Sequence, residues 1–229
     1  MEYPHNRPYT ADDLVRIITL LRDPVDGCPW DKVQTHTSIR MNFLEEAYEA
    51  VDALDLDAPV LMCEELGDVL MQVAFHTCME QETGRFTWEQ VCDGVCQKLI
   101  ERHPNIFGTQ PGYEGITDWD ALKNKEKGRR TLADDLESVP RAMPALMRAA
   151  KLQKRAARHG AALQGADAAA LADAAENLQT AQPASAQAEQ AVGELLFAAA
   201  NLARQAGVDP EQALQKANEA FCTAAGPVA

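Results

Sequence analysis

The stretch from Phe43 to His76, FLEEAYEAVDALDLDAPVLMCEELGDVLMQVAFH, sets two acidic clusters inside two apolar helical patterns. Leu44, Ala47, Val51 and Leu54 recur at steps of three and four, the period of a buried helix stripe, and Glu45, Glu46, Glu49 and Asp52 ride the same turns. Leu66, Val69, Leu70, Val73 and Phe75 mark a second helix, with Glu64, Glu65 and Asp68 near its start. Asp57-Ala58-Pro59 reads as the turn between them, with Pro59 suited to a first helical position. So short a connection predicts an antiparallel helix pair whose acidic patches face each other.

Carboxylates one turn apart repel, by about 0.2–0.5 kcal/mol per pair on an exposed helix and by far more once burial strips their water. Glu46 with Glu49, and Glu65 with Asp68, therefore call for a positive partner. Oxygen donors without a His or Cys suit a hard divalent cation, Mg²⁺ with Mn²⁺ as a substitute. Either cluster alone reads as a solvated acidic face. The apolar residues on both sides, and the short chain between the clusters, favour the shared ion.

The chain has 229 residues and a formal net charge of −14. Residues 1–130 hold 24 acidic against 13 basic side chains, and the remainder 11 against 8. Such a body argues against nucleic acid as a partner, and an anionic substrate would need metal ions and a local set of cations. No apolar run is long enough for a bilayer, and no signal-peptide pattern opens the chain, which points to the cytoplasm. Six cysteines without CxxC or zinc spacing read as free, mostly buried thiols of a reducing compartment.

Before the central stretch, Thr10 and Asp13 predict a cap for a helix through Leu21, and a turn-rich loop, DPVDGCPWDKVQT, follows. Trp30 in that loop either covers a small core or touches a substrate. After it, Thr87 and Gln90 form a capping box for a helix expected to bury Val91, Val95, Leu99 and Ile100. Lys98 and Arg102 share its outer edge, as a solvated basic face or as a phosphate clamp. Beyond a Gly108–Gly115 loop, Thr117 and Asp120 cap WDALKNKEK, which puts Trp119, Lys123 and Glu126 on one side. That face could read a base and a phosphate, or simply pack by its Trp. Arg129–Pro144 looks like a linker. A basic helix with Arg148, Lys151, Lys154, Arg155 and Arg158 follows, expected to lie against the acidic half or a second subunit. Residues 161–229 contain 25 alanines, which favour helix but give a core little bulk.

Five blocks in order, LRDPVDGCPWD, LEEAYEAVDAL, EELGDVLMQVAFH, KLIERHPNIFG and WDALKNKEK, resemble the MazG family of nucleoside triphosphate pyrophosphohydrolases. The resemblance implies an all-α bundle that binds Mg²⁺ through EExxE and ExxD. It also implies cleavage of nucleoside triphosphates to monophosphate and pyrophosphate, a house-cleaning of the nucleotide pool, by a homodimer. Carried onto this chain, the metal ligands are Glu46, Glu49, Glu65 and Asp68, with Glu45 as an added acid. Glu45 or Glu49 would take the proton of an attacking water. Lys98, Arg102 and Lys123 match phosphate-contacting positions, and Trp119 one near the base.

The second half resembles a decayed repeat. VGELLFAAANLARQAG echoes LGDVLMQVAF and LQKANEAF echoes KLIERH, yet DAAENLQTAQP stands where EExxE would fall, and Ala191 and Glu194 where ExxD would. The implied organisation is a catalytic domain at 1–130, a linker and basic connecting helix at 131–160, and a degenerate, truncated helical domain at 161–229. A non-catalytic nucleotide-binding or regulatory scaffold is the alternative. A di-iron carboxylate bundle would need Glu-x-x-His pairs, which are lacking.

Overall fold

The computed structural model describes residues 3, 5, 7–108 and 119–226, with 119–121 given by backbone alone. Among these residues every regular element is helical, so the all-α expectation holds. The chain divides into two compact units, Met1–Ile116 and Thr117–Ala229. This division places the helix bearing Lys123 in the second unit.

The first unit contains α1 (Ala11–Leu21), α2 (Arg40–Asp55), α3 (Pro59–Glu82) and α4 (Trp88–Arg102), with a 3-10 turn at Asp31–Val33. Both expected capping boxes form. The Thr10 hydroxyl accepts from the Asp13 amide at 3.3 Å while Asp13 Oδ2 accepts from the Thr10 amide at 2.9 Å, and Thr87 with Gln90 does the same for α4. Such a cap contributes about 1 kcal/mol. Asp57, at φ +48°, supplies the left-handed residue that reverses the chain between α2 and α3, an Asp being one of the few side chains that tolerates it.

The core lies around the second half of α3. Ala74, Phe75, Cys78 and Met79 pack with Ile18 of α1, Ile39 and Trp88 at the start of α4. Full burial of a side chain like Phe75 contributes roughly 1.5–3 kcal/mol. The loop after α1 is pinned to this core by Arg22. Its guanidinium grips the Glu82 carboxylate through Nε (2.5 Å) and Nη2 (2.8 Å), and Nη1 donates to the carbonyls of Asp31 and Gln34. A Cβ on Gly27 would run into the carbonyl oxygens of Asp23 and Leu21, so the tight DPVDGC turn admits only glycine there.

The expected buried stripes need correction. Between α2 and α3 the buried residues of α2 are Ala50 and Ala53, whereas Val51 (49% exposed) and Leu54 (51%) face outward. Leu66 and Leu70 on α3, and Val95, Leu99 and Ile100 on α4, are also exposed. Small residues let two helices approach closely, which leaves bulky neighbours flanking the contact rather than inside it. The thiols differ too: Cys78 is buried, but Cys63, Cys96 and Cys222 are exposed. The expected loop at 109–115 and the cap at Thr117 lie outside the described residues, as do the side chains of Trp119 and Asp120.

The second unit runs α5 (Trp119–Glu126), α6 (Leu132–Glu137), α7 (Ala145–Arg158), α8 (Ala168–Thr180), α9 (Ala186–Gln205) and α10 (Pro210–Ala225). α8 pairs with α9 as α2 pairs with α3, and α7 packs across α9. Because its core is largely alanine (Ala174, Ala191, Ala198, Ala200), buried polar clasps do much of the fixing. Gln153 on α7, fully buried, donates to the Phe197 carbonyl of α9 at 2.7 Å. The segment expected to be linker instead forms α6, capped by Thr131 and Asp134. From it Asp135, 1% exposed, receives Arg155 Nη1 at 3.0 Å and His159 Nε2 at 3.1 Å, with Arg158 at 3.7 Å.

Burial alone would raise the Asp135 pKa. Hydrogen bonds from Asn124 and His159 and the charges of Arg155 and Arg158 outweigh it and hold the carboxyl below its ordinary value of 3.8. A carboxylate so depressed contributes stability that is present above the unfolded-state pKa and lost as the pH falls through the folded one. Asp135→Asn should therefore cost about 3–5 kcal/mol at neutral pH by stranding a buried arginine. In urea unfolding followed by circular dichroism, the deficit against the unsubstituted chain should shrink as the pH drops below about 4.

Candidate metal centre

The hairpin of α2 and α3 brings the two acidic clusters together. The close contact at Ala50 and Ala53 sets the spacing between the helices. On α2, Glu46 and Glu49 stand one turn apart, and Glu65 meets them from the second turn of α3. One carboxylate oxygen from each of Glu46, Glu49 and Glu65 lies within 4.8 Å of the others. Two oxygens on opposite sides of an octahedral Mg²⁺ are about 4.2 Å apart, so small rotamer adjustments would close the three on one ion. Asp68 stands outside this triad, but its charge acts on both Glu46 and Glu65.

The electrostatics are those of crowded anions. Burial first, and then Asp68, raise the pKa of Glu46, with Glu49 and Glu45 adding to the push and a hydrogen bond from Gln72 opposing it. Glu65 is raised by burial and then by Glu49, Asp68, Glu64 and Glu46. Each group makes its neighbour harder to ionise, and one bound cation would reverse that for all of them. Gln72, buried one turn beyond Asp68, donates through Nε2 to Glu46 Oε1 at 3.4 Å, while its own Oε1 has no protein partner. An all-carboxylate donor set with a buried amide oxygen still unpartnered fits a hard, hydrated divalent cation.

The other sequence-derived residues sit on separate elements. Glu45 is exposed on α2, and Lys98 is exposed and Arg102 half-buried in the last turns of α4. Lys123 is exposed on α5 of the second unit, Trp119 opens that helix with its side chain outside the described set, and Trp30 is 56% exposed in its loop. Two features escaped the sequence reading. One is Gln72, whose only signal was a polar residue four places after Asp68 in an apolar run. The other is a histidine pair: His36 stacks on His76 with ring centroids 5.0 Å apart and reaches Glu80 through Nε2 at 2.5 Å. Nothing local in the chain announces a contact made across forty positions.

In the second unit the corresponding hairpin has no such centre. Glu194 on α9 accepts from Gln190 at 2.8 Å, and Asp173 and Glu176 are exposed on α8. Among the described residues, the Glu46–Glu49–Glu65 group alone gathers three potential ligands.

The family model for the MazG nucleotide pyrophosphohydrolase domain matches residues 34–107, which include α2, α3 and α4. The chain is 40% identical over 219 residues to the nucleoside triphosphate pyrophosphohydrolase of Escherichia coli K12, covering 92% of this chain and 83% of that protein. It is 39% identical over 212 residues to the Thermotoga maritima protein named nucleoside triphosphate pyrophosphohydrolase/pyrophosphatase MazG, covering 92% and 82%. The Mycobacterium tuberculosis nucleoside triphosphate pyrophosphohydrolase is 34% identical over 154 residues, 66% of this chain and 46% of that one. Those matches, falling on the helices that build the carboxylate centre, establish that the chain belongs to the MazG family of nucleotide pyrophosphohydrolases.

Proposed function

We propose that this protein hydrolyses nucleoside triphosphates to monophosphate and pyrophosphate with Mg²⁺, or Mn²⁺ in its place, at the α2–α3 carboxylates. The convergence of Glu46, Glu49 and Glu65 from two helices is the observation that carries this reading. Hydrolysis itself accords with the relatives named above. Bound Mg²⁺ would neutralise phosphate charge and lower the pKa of a coordinated water.

The chain's own residues supply the rest. Glu46, Glu49, Glu65 and Asp68 hold the cation, and Gln72 fixes the orientation of Glu46 from behind. Glu45 or Glu49, whichever is less committed to the metal, accepts the water's proton. Lys98 and Arg102 on α4 counter the charge of the leaving pyrophosphate. Trp30 is the loop residue available to the substrate. The substrates are nucleotides of the cytoplasmic pool, with neither nucleic acid nor membrane as partner; no helix of the described residues is long and apolar enough to cross a bilayer. The α8–α9 hairpin, lacking three convergent acids, serves packing or regulation rather than turnover.

The outward-facing Val95, Leu99 and Ile100 of α4, with Val51 and Leu54 of α2, support a homodimer, since a lone bundle leaves these side chains in water.

With a panel of nucleoside triphosphates and Mg²⁺, the product should be pyrophosphate, not orthophosphate, and chelator should abolish it. Glu46→Gln, Glu65→Gln and Asp68→Asn should lose more than the roughly 10–100-fold that even an outer partner costs, and Gln72→Leu should fall within that range. Full turnover in the acid variants, or orthophosphate as product, would remove the centre from the reaction. In sedimentation velocity the chain should run at twice its 25.0 kDa mass, and Leu99→Glu with Ile100→Glu should return it to monomer.

A further inference from the structure

In the second unit, α7, α9 and the start of α10 enclose an open cavity of about 480 Å³ lined by Lys151, Lys154 and Arg204 together with Met143, Met147 and Val208. It is separate from the α8–α9 cleft, where Asp173 and Glu194 stand. The basic helix α7 splits its charges between two tasks. Arg155 and Arg158 are taken up by Asp135 inside the unit. Lys151 and Lys154, three residues apart on one face, have no hydrogen-bond or ion-pair partner among the described residues.

Arg204 is held ready in a specific orientation. Its Nε donates to Asn201 Oδ1 at 2.9 Å, and Asn201, 2% exposed, is itself fixed by donating to the Ala166 carbonyl at 2.6 Å. The guanidinium is thus set from behind, with no partner among the described residues for its two terminal nitrogens. The carboxylate in the lining, Asp209, keeps its charge while its Oδ1 accepts the amides of Glu211 and Gln212 at 3.0 Å each, capping α10. Glu211 nearby takes the Met147 amide at 3.3 Å. Three cations thus share one cavity with one lining carboxylate and no ion pair, a net positive lining in a chain whose overall charge is −14. A net positive lining favours an anion, and a guanidinium fork with two ammonium groups matches the oxygens of a phosphate chain. The two methionines and Val208 offer an adaptable apolar wall, which a bare inorganic anion would not use.

We propose that this cavity is a second nucleotide site, one that binds a nucleoside phosphate without a divalent cation: phosphates on Lys151, Lys154 and Arg204, nucleoside against Met143, Met147 and Val208. The proposal does not depend on the carboxylate centre, which in the absence of metal should repel the same ligand. A nucleotide held here gives the acid-poor second unit a sensing role.

Equilibrium dialysis of the full chain against labelled ADP in excess chelator tests it. One ADP should bind per chain, and Glu46→Gln should leave that binding unchanged. The double variant Lys151→Gln, Lys154→Gln and the single variant Arg204→Gln should each weaken it at least tenfold with an unaltered helical spectrum. Arg204→Lys, keeping charge but not the fork, should fall between. Inorganic pyrophosphate should compete more weakly than ADP, and a single-stranded oligonucleotide more weakly still. No binding in chelator, binding that survives the double variant, or tighter binding of pyrophosphate or oligonucleotide would overturn the assignment. None of these results would touch hydrolysis in Mg²⁺, which is scored separately.

Discussion

The repulsion among carboxylates brought face to face between α2 and α3 is the constraint on which the first unit turns. A hairpin joined by Asp57 and Ala58 has to put the acids of its two arms near one another, and the alanine contact at Ala50 and Ala53 leaves no bulk to separate them. Burial first, and the neighbouring carboxylates after it, raise the pKa values of Glu46 and Glu65. The repulsion is tolerated because the hairpin is held elsewhere. The second half of α3 carries the core, and Arg22 ties the preceding loop to Glu82 at its far end. Stability and charge crowding are thus assigned to opposite ends of one 24-residue helix. The core end can be optimised for packing while the acidic end stays poised for an ion.

Much of this was legible because it is local. Capping boxes, the Pro59 start and the spacing of EExxE and ExxD each depend on residues within one or two turns, and side chains at such separations have little choice of neighbour. The centre of each buried stripe was not legible. A period of 3.6 gives the width of an apolar face but does not say whether Ala50 or Val51 lies at its middle, and the decision rests on how closely the partner helix approaches.

The long-range polar contacts were hidden for a different reason. Asp135 seemed to belong to a linker because its helix is only six residues long, and its partners lie more than a turn beyond any local pattern. His36 and His76 meet only after α3 is placed. Gln72 carries the same lesson inside the site, since an amide in an apolar run gains meaning only when its neighbour across the hairpin is known to be Glu46.

The second unit shows what remains when the central conflict is removed. Its α8–α9 hairpin keeps the pairing of α2–α3, but with Ala191 and Gln190–Glu194 on α9 it gathers no group of three acids to share a cation. Freed from that demand, the helices meet through alanines and rely on Gln153, Asn201 and the Asp135 clasp for register. The positive charge that a metal would bring to the first unit is carried in the second by side chains, Lys151, Lys154 and Arg204. Phosphate can be met either by carboxylates that recruit a cation or by fixed cations, and only the first arrangement also activates water. Under the two proposals made above, the acidic hairpin and the hairpin flanked by a basic cavity would divide between them the chemistry of cleaving a phosphate chain and of merely holding one.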